Sequence, residues 1–85
     1  MKQYSVVYLA SAEAALASIW ERAIDRSSVT DAADMADAIL ASSPEGRSVY
    51  LEEELWRLDI MPLRFYFTIR PEDRLVQVTK VVYVE

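Results

Sequence analysis

The stretch LRFYFTIR at 63–70 constrains the fold more than any other: Leu63, Phe65, Phe67 and Ile69 alternate with Arg64, Tyr66, Thr68 and Arg70. A period of two marks a strand with one buried and one open face, because successive side chains point to opposite sides of a sheet. Something must therefore cover the face that carries Phe65 and Phe67. The other face, with its arginines and tyrosine, is left bare, as an ordinary solvated sheet surface would be and as a nucleic-acid or phosphate surface would be.

The cover has to come from the first half of the chain. Gln3–Leu9 reads as a strand, being β-branched and aromatic without Gly or Pro. Ser11 is the expected N-cap of a helix whose first turn holds Glu13, and Leu16, Ile19, Trp20, Ala23 and Ile24 recur at helical spacing. The polar run SSVT at 27–30 is expected to break this helix, with Thr30 capping a second one whose apolar stripe is Ala32, Met35, Ala36, Ile39 and Leu40. Ser43 before Pro44 ends it, since the residue preceding proline is pushed out of the helical region. Two helices joined this closely form an antiparallel hairpin whose stripes need a sheet to pack on.

Strand signals return at 55–60, and Met61–Pro62 makes a tight connection into 63–69. Pro71 opens a turn before the strand 75–84, which is expected to end the sheet with an open edge. Residues 45–54 leave strand and loop open; consecutive carboxylates at Glu52–Glu54 alternate sides and read as a solvated loop rather than a metal site. The expected fold class is α+β, β-α-α-β-β-β: an antiparallel sheet with an N-terminal helical hairpin on one face, in a single domain spanning 1–85.

Composition narrows the chemistry. The 85 residues contain no cysteine and no histidine, which removes disulfides, thiolate zinc sites, thiol nucleophiles and imidazole bases. No cofactor or metal ligand set is expected. A 53% hydrophobic content exceeds what so small a body easily hides, so apolar surface is left over for a partner. The formal charge of −5 leaves few cations for a polyanion, whose binding draws on many Lys and Arg contacts. No apolar run approaches the ~20 residues that span a bilayer, and no signal-peptide pattern is visible, so a cytoplasmic protein with no membrane partner is expected.

The ordered set YSVVYLASAEAALASIW, ILASSPEGR and LWRLDIMPLRFYFTIRPEDRLVQVTKVVYV resembles the RelE/ParE family of bacterial type II toxins over nearly the whole chain. The resemblance implies a toxin, of the plasmid-stabilisation kind, that poisons a central process and is neutralised by an antitoxin encoded beside it. One branch of the family cleaves messenger RNA on the ribosome; the other poisons DNA gyrase. Arg64 matches the family's strand arginine, and Arg57 occupies a position that is often basic. Asp59 stands where a second base is expected, Val84 where the last strand often ends in arginine, and no tyrosine follows Glu85.

These departures favour the gyrase-poisoning branch. Cleavage at a 2′-hydroxyl needs a base, an acid and positive charge at the developing oxyanion. The catalytic candidates are Arg64 with Arg57 and Lys80, and Tyr83 lies three residues after Lys80, on the opposite face of a regular strand. The leading expectation is therefore a toxin that binds its target. A ribosome-dependent endonuclease using Arg64 is the alternative, and a non-toxic relative acting as a homodimer or other oligomeric interaction domain is the third reading.

Overall fold

The computed structural model describes residues 3–85; Met1 and Lys2 lie outside them. The elements run β1 (Ser5–Tyr8), α1 (Ala10–Arg22), α2 (Arg26–Ser42), β2 (Val49–Glu52), β3 (Leu55–Ile60), β4 (Leu63–Arg70), a short 3-10 turn (Pro71–Asp73) and β5 (Leu75–Tyr83). The α+β class and the helical hairpin before the meander agree with the sequence reading, and one strand, β2, is added to it.

The sheet order is β1-β5-β4-β3-β2. All neighbours from β2 to β5 are antiparallel, whereas β1 pairs with β5 in parallel, so the sheet is mixed. The strand 75–84 does not end the sheet. The chain leaves β1 through two helices, re-enters the sheet at its far edge as β2 and meanders back to β5, a connection long enough for a parallel partner, so β5 is enclosed between β1 and β4. The true edges are β1 and β2. The first is flanked by the end of α2, where the Tyr4 N–H donates to the Ala41 carbonyl at 2.7 Å.

Both helices lie on the face that carries Leu63, Phe65, Phe67 and Ile69, and the two phenylalanines are fully buried. Against them the helices present Ala12, Val29, Ala32, Ala36 and Leu40. Alanines dominate this list because a small side chain lets a helix axis settle close to large aromatic rings. The expected stripe is corrected at three positions. Trp20 and Met35 are about half exposed, and Ile24 is fully exposed because α1 ends at Arg22 and Ile24 sits in the connection.

The helix boundaries also differ from expectation. Leu9, not Ser11, occupies the N-cap of α1. Asp25, not Thr30, caps α2: its carboxylate accepts from the Ser28 N–H at 3.1 Å and from the Ser28 hydroxyl at 2.6 Å. Those hydrogen bonds hold the Asp25 carboxyl below the usual carboxylate range. SSVT thus becomes the first turn of α2. Thr30 instead accepts from the Trp20 indole N–H at 3.1 Å, and the Arg26 guanidinium stacks 4.6 Å from the Trp20 ring centroid while donating to the Trp20 and Glu21 carbonyls. Residues read as polar breakers therefore tie the two helices together.

Candidate functional site

The face left open by the helices carries the sequence candidates. Pairing across β3, β4 and β5 aligns Arg57 with Tyr66 and Tyr66 with Lys80, which makes a row of three. One step along the strands Asp59 faces Arg64, which faces Val82. Adjacent strands lie about 4.8 Å apart and same-face residues about 7 Å apart along a strand, so Arg57, Arg64 and Lys80 share one patch. Lys80 reaches it through a β-bulge: the register shifts between Tyr66 and Phe67, where Thr79 has no Cα partner and the burial alternation of β5 skips from Val78 to Val81. Its ammonium lies 6.0 Å from the Tyr66 ring centroid, at the outer limit of a cation–π contact.

The two arginines of this patch are engaged by a carboxylate. Arg64 donates to both oxygens of Asp59, Nε to Oδ1 at 2.9 Å and Nη2 to Oδ2 at 3.2 Å, a bidentate clamp. Arg57 Nε lies 3.4 Å from the same Oδ1, close enough for attraction but without hydrogen-bond alignment, and this nitrogen is shielded from solvent. The hydrogen bond to Asp59 holds the Arg64 proton more tightly than usual, and Tyr66 adds to that in the same direction. One carboxylate thus sits between two of the three candidate cations. It does so because Met61–Pro62 is a two-residue turn, which places Asp59 directly opposite Arg64. That symmetry about the turn was available in the sequence and is the signal by which the clamp could have been found.

Tyr83 is not part of this patch. It pairs with Leu63 on the helix side of the sheet. There it lines a cleft of about 780 Å³ whose apolar wall includes Ile19, Ala23, Ile24, Met61 and Pro62. Lys80 and Tyr83 therefore lie on opposite faces, as their spacing predicts. Among the described residues no cluster of His, Cys, Asp and Glu suits a metal ion, and no helix is long and apolar enough to cross a membrane.

Substituting Asp59 by asparagine keeps the shape of the clamp and removes its negative charge. Asp59→Asn is expected to move elution from a heparin column to higher salt, because two arginines are released toward a polyanion. Equal elution of wild type and variant would contradict the clamp.

No family model and no curated protein matches this sequence. Solved structures do match. A chain of the toxin–antitoxin complex RelBE2 from Mycobacterium tuberculosis superposes with a TM-score of 0.79 at 17% identity, covering 98% of this chain and 93% of that one. A chain of the chromosomal ParDE toxin–antitoxin system from P. aeruginosa gives 0.75 at 16% identity, with 98% of both chains covered. The archaeal RelE–RelB complex from Pyrococcus horikoshii gives 0.63 at 15% identity, covering 95% of this chain and 94% of that one. Two helices packed on one side of a five-stranded mixed sheet, in this order and over almost the full length, are the RelE/ParE-like fold.

Proposed function

We propose that this chain is the toxin of a type II toxin–antitoxin module, neutralised by a cognate antitoxin, and that it acts by binding a cellular target, DNA gyrase being the candidate, rather than by cutting RNA. The observation that carries the first part is the likeness over almost the whole chain to structures of RelBE2 and ParDE, both described as toxin–antitoxin systems.

The second part rests on the open face. A phosphodiester-cleaving centre needs a group free to take a proton and cations free to meet the developing charge. Both oxygens of Asp59 already accept from Arg64, and Arg57 lies against the same carboxylate. The formal charge of −5 also opposes tight capture of a long polyanion. The row Arg57–Tyr66–Lys80 is the one observation that favours the alternative, a ribosome-dependent endonuclease, since a tyrosine between two cations suits stacking on a base beside a phosphate.

A translation extract separates the two readings. With wild-type protein added, messenger RNA is expected to stay full length. Cleavage that disappears in Arg64→Ala would overturn the binding reading and establish the nuclease.

A further inference from the structure

Ile24 projects from the fold as an isolated knob. At 104% relative exposure it is as open to water as in an unfolded chain, and it takes no part in the core cluster. The connection that carries it is short and held at both ends. Ala23 closes α1 by donating its N–H to the Trp20 carbonyl at 3.3 Å, and Asp25 caps α2 through Ser28. Arg26 adds its bonds to the Trp20 and Glu21 carbonyls. Between these ties Ile24 can neither turn inward nor join a helix, so little ordering is left for a partner to impose on it.

Beside the knob lies a hollow, the cleft of about 780 Å³ walled by Ile19, Ala23, Pro62, Met61 and Tyr83. Its volume admits a side chain the size of isoleucine with room to spare. Met61 and Tyr83 at its mouth are 61% and 51% exposed. The cleft is also lined by both signs of charge, Arg22 and Glu85. Arg22 Nη2 donates to the Ser18 hydroxyl at 3.3 Å, and neither Arg22 nor Glu85 joins an ion pair among the described residues.

We propose that this surface joins two copies of the chain about a two-fold axis, with Ile24 of each copy seated in the cleft of the other. A two-fold contact requires a surface that is its own complement. A knob next to a hollow, with a cation and a carboxylate at hand, meets that condition: Ile24 reaches Met61 and Tyr83 of the other copy, and Arg22 reaches its Glu85. A nucleic acid would meet one arginine against two carboxylates here, Asp25 and Glu85, and is refused. A small ligand in the cleft would leave Ile24 in water, whereas a second copy covers both features at once. The cleft lies on the helix side of the sheet, so the row Arg57–Tyr66–Lys80 stays bare in both copies. The dimer thus offers two open faces, which raises its avidity for a target with two matching sites.

Sedimentation of the full chain is followed from about 10 µM to about 1 mM in roughly 150 mM salt, which screens the charge of −5 on each copy. A contact this small belongs at the weak end of protein interfaces, so half-dimerisation is expected near about 100 µM. Ile24→Lys and Met61→Glu each weaken association by about tenfold or more. Both residues are exposed, so circular dichroism and Tm stay close to those of the wild type. Mixed in equal amounts, the two variants associate at least about fivefold more tightly than either alone. One contact then keeps its native isoleucine and cleft, and the other sets the new lysine against the new glutamate. A merely sticky apolar surface gives no such recovery. A monomer at every concentration, a dimer that neither substitution weakens, or no recovery on mixing overturns the proposal. Every readout uses the chain alone, so the toxin reading, which growth arrest tests separately, survives any of these failures.

Discussion

Phe67→Ala is expected to destabilise the chain by about 3–5 kcal/mol, the range for truncating a buried phenylalanine. Phe67 has no exposed surface and sits on the middle strand of the sheet, with its neighbours in the same row, Val78 and Trp56, on either side. Three of the five fully buried helix residues are alanines, Ala12, Ala32 and Ala36, which have no longer side chain to lean into a vacated space. Collapse around the hole is therefore poor and the cavity term stays large. A chain of 85 residues has roughly 4–13 kcal/mol of stability in all. The loss corresponds to a fall in Tm of about 15–30 °C, readable by circular dichroism. Thr68→Ala, one residue away on the open face, is expected to change Tm by only a few degrees. Similar losses for both would mean that the helices do not shield one side of the sheet.

Saturation with the cognate antitoxin is expected to have an effect of comparable size and opposite sign. A ligand that binds only the folded state stabilises it by about 4 kcal/mol at a free concentration of 1,000 Kd. For a domain of this length that raises Tm by on the order of 20 °C. The surface needed for such binding is present: Val49, Tyr50 and Leu51 at one end, and Ile24, Met61 and Tyr83 around the cleft at the other, are all apolar and exposed. A small domain that leaves this much apolar area in water gains from covering it. Calorimetry of the isolated chain and of the mixture measures the difference. An unchanged transition in the presence of the neighbouring gene's product would remove that product as partner.

The alternation at 63–70 was legible because a period of two leaves no other solution, and it located the covered and the open face together. The helix pair and its stop before Pro44 were legible for the same local reason. The start of α2 was not. Asp25 and Thr30 are both good caps by residue type, and the choice between them was made by contacts between the helices: Thr30 is engaged by Trp20, and Arg26 lies on the same indole. Strand β2 stays open between strand and loop in the sequence because its turn, Glu53–Glu54, has none of the Asn or Gly that announces a tight hairpin, although both residues take positive φ. The place of β5 inside the sheet was hidden because parallel pairing with β1 is a long-range contact with no local signature.

The candidate site divides the same way. Arg57, Arg64 and Lys80 do share the open face, and alternation alone puts the two arginines there. Lys80 joins them across the bulge near Thr79, which nothing in LVQVTKVVYV marks. In the sequence Asp59 reads only as a departure from the RelE/ParE pattern that the chain resembles. Its role as an internal partner for both arginines required the register to be known.

Whether a partner protein restrains a toxin is decided by the growth of cells in which this chain is induced with and without its neighbouring gene's product. Growth is expected to arrest when the chain is induced alone, to stay arrested in Arg64→Ala, and to recover when both proteins are made. Unimpaired growth of cells that contain the folded chain alone would contradict that expectation.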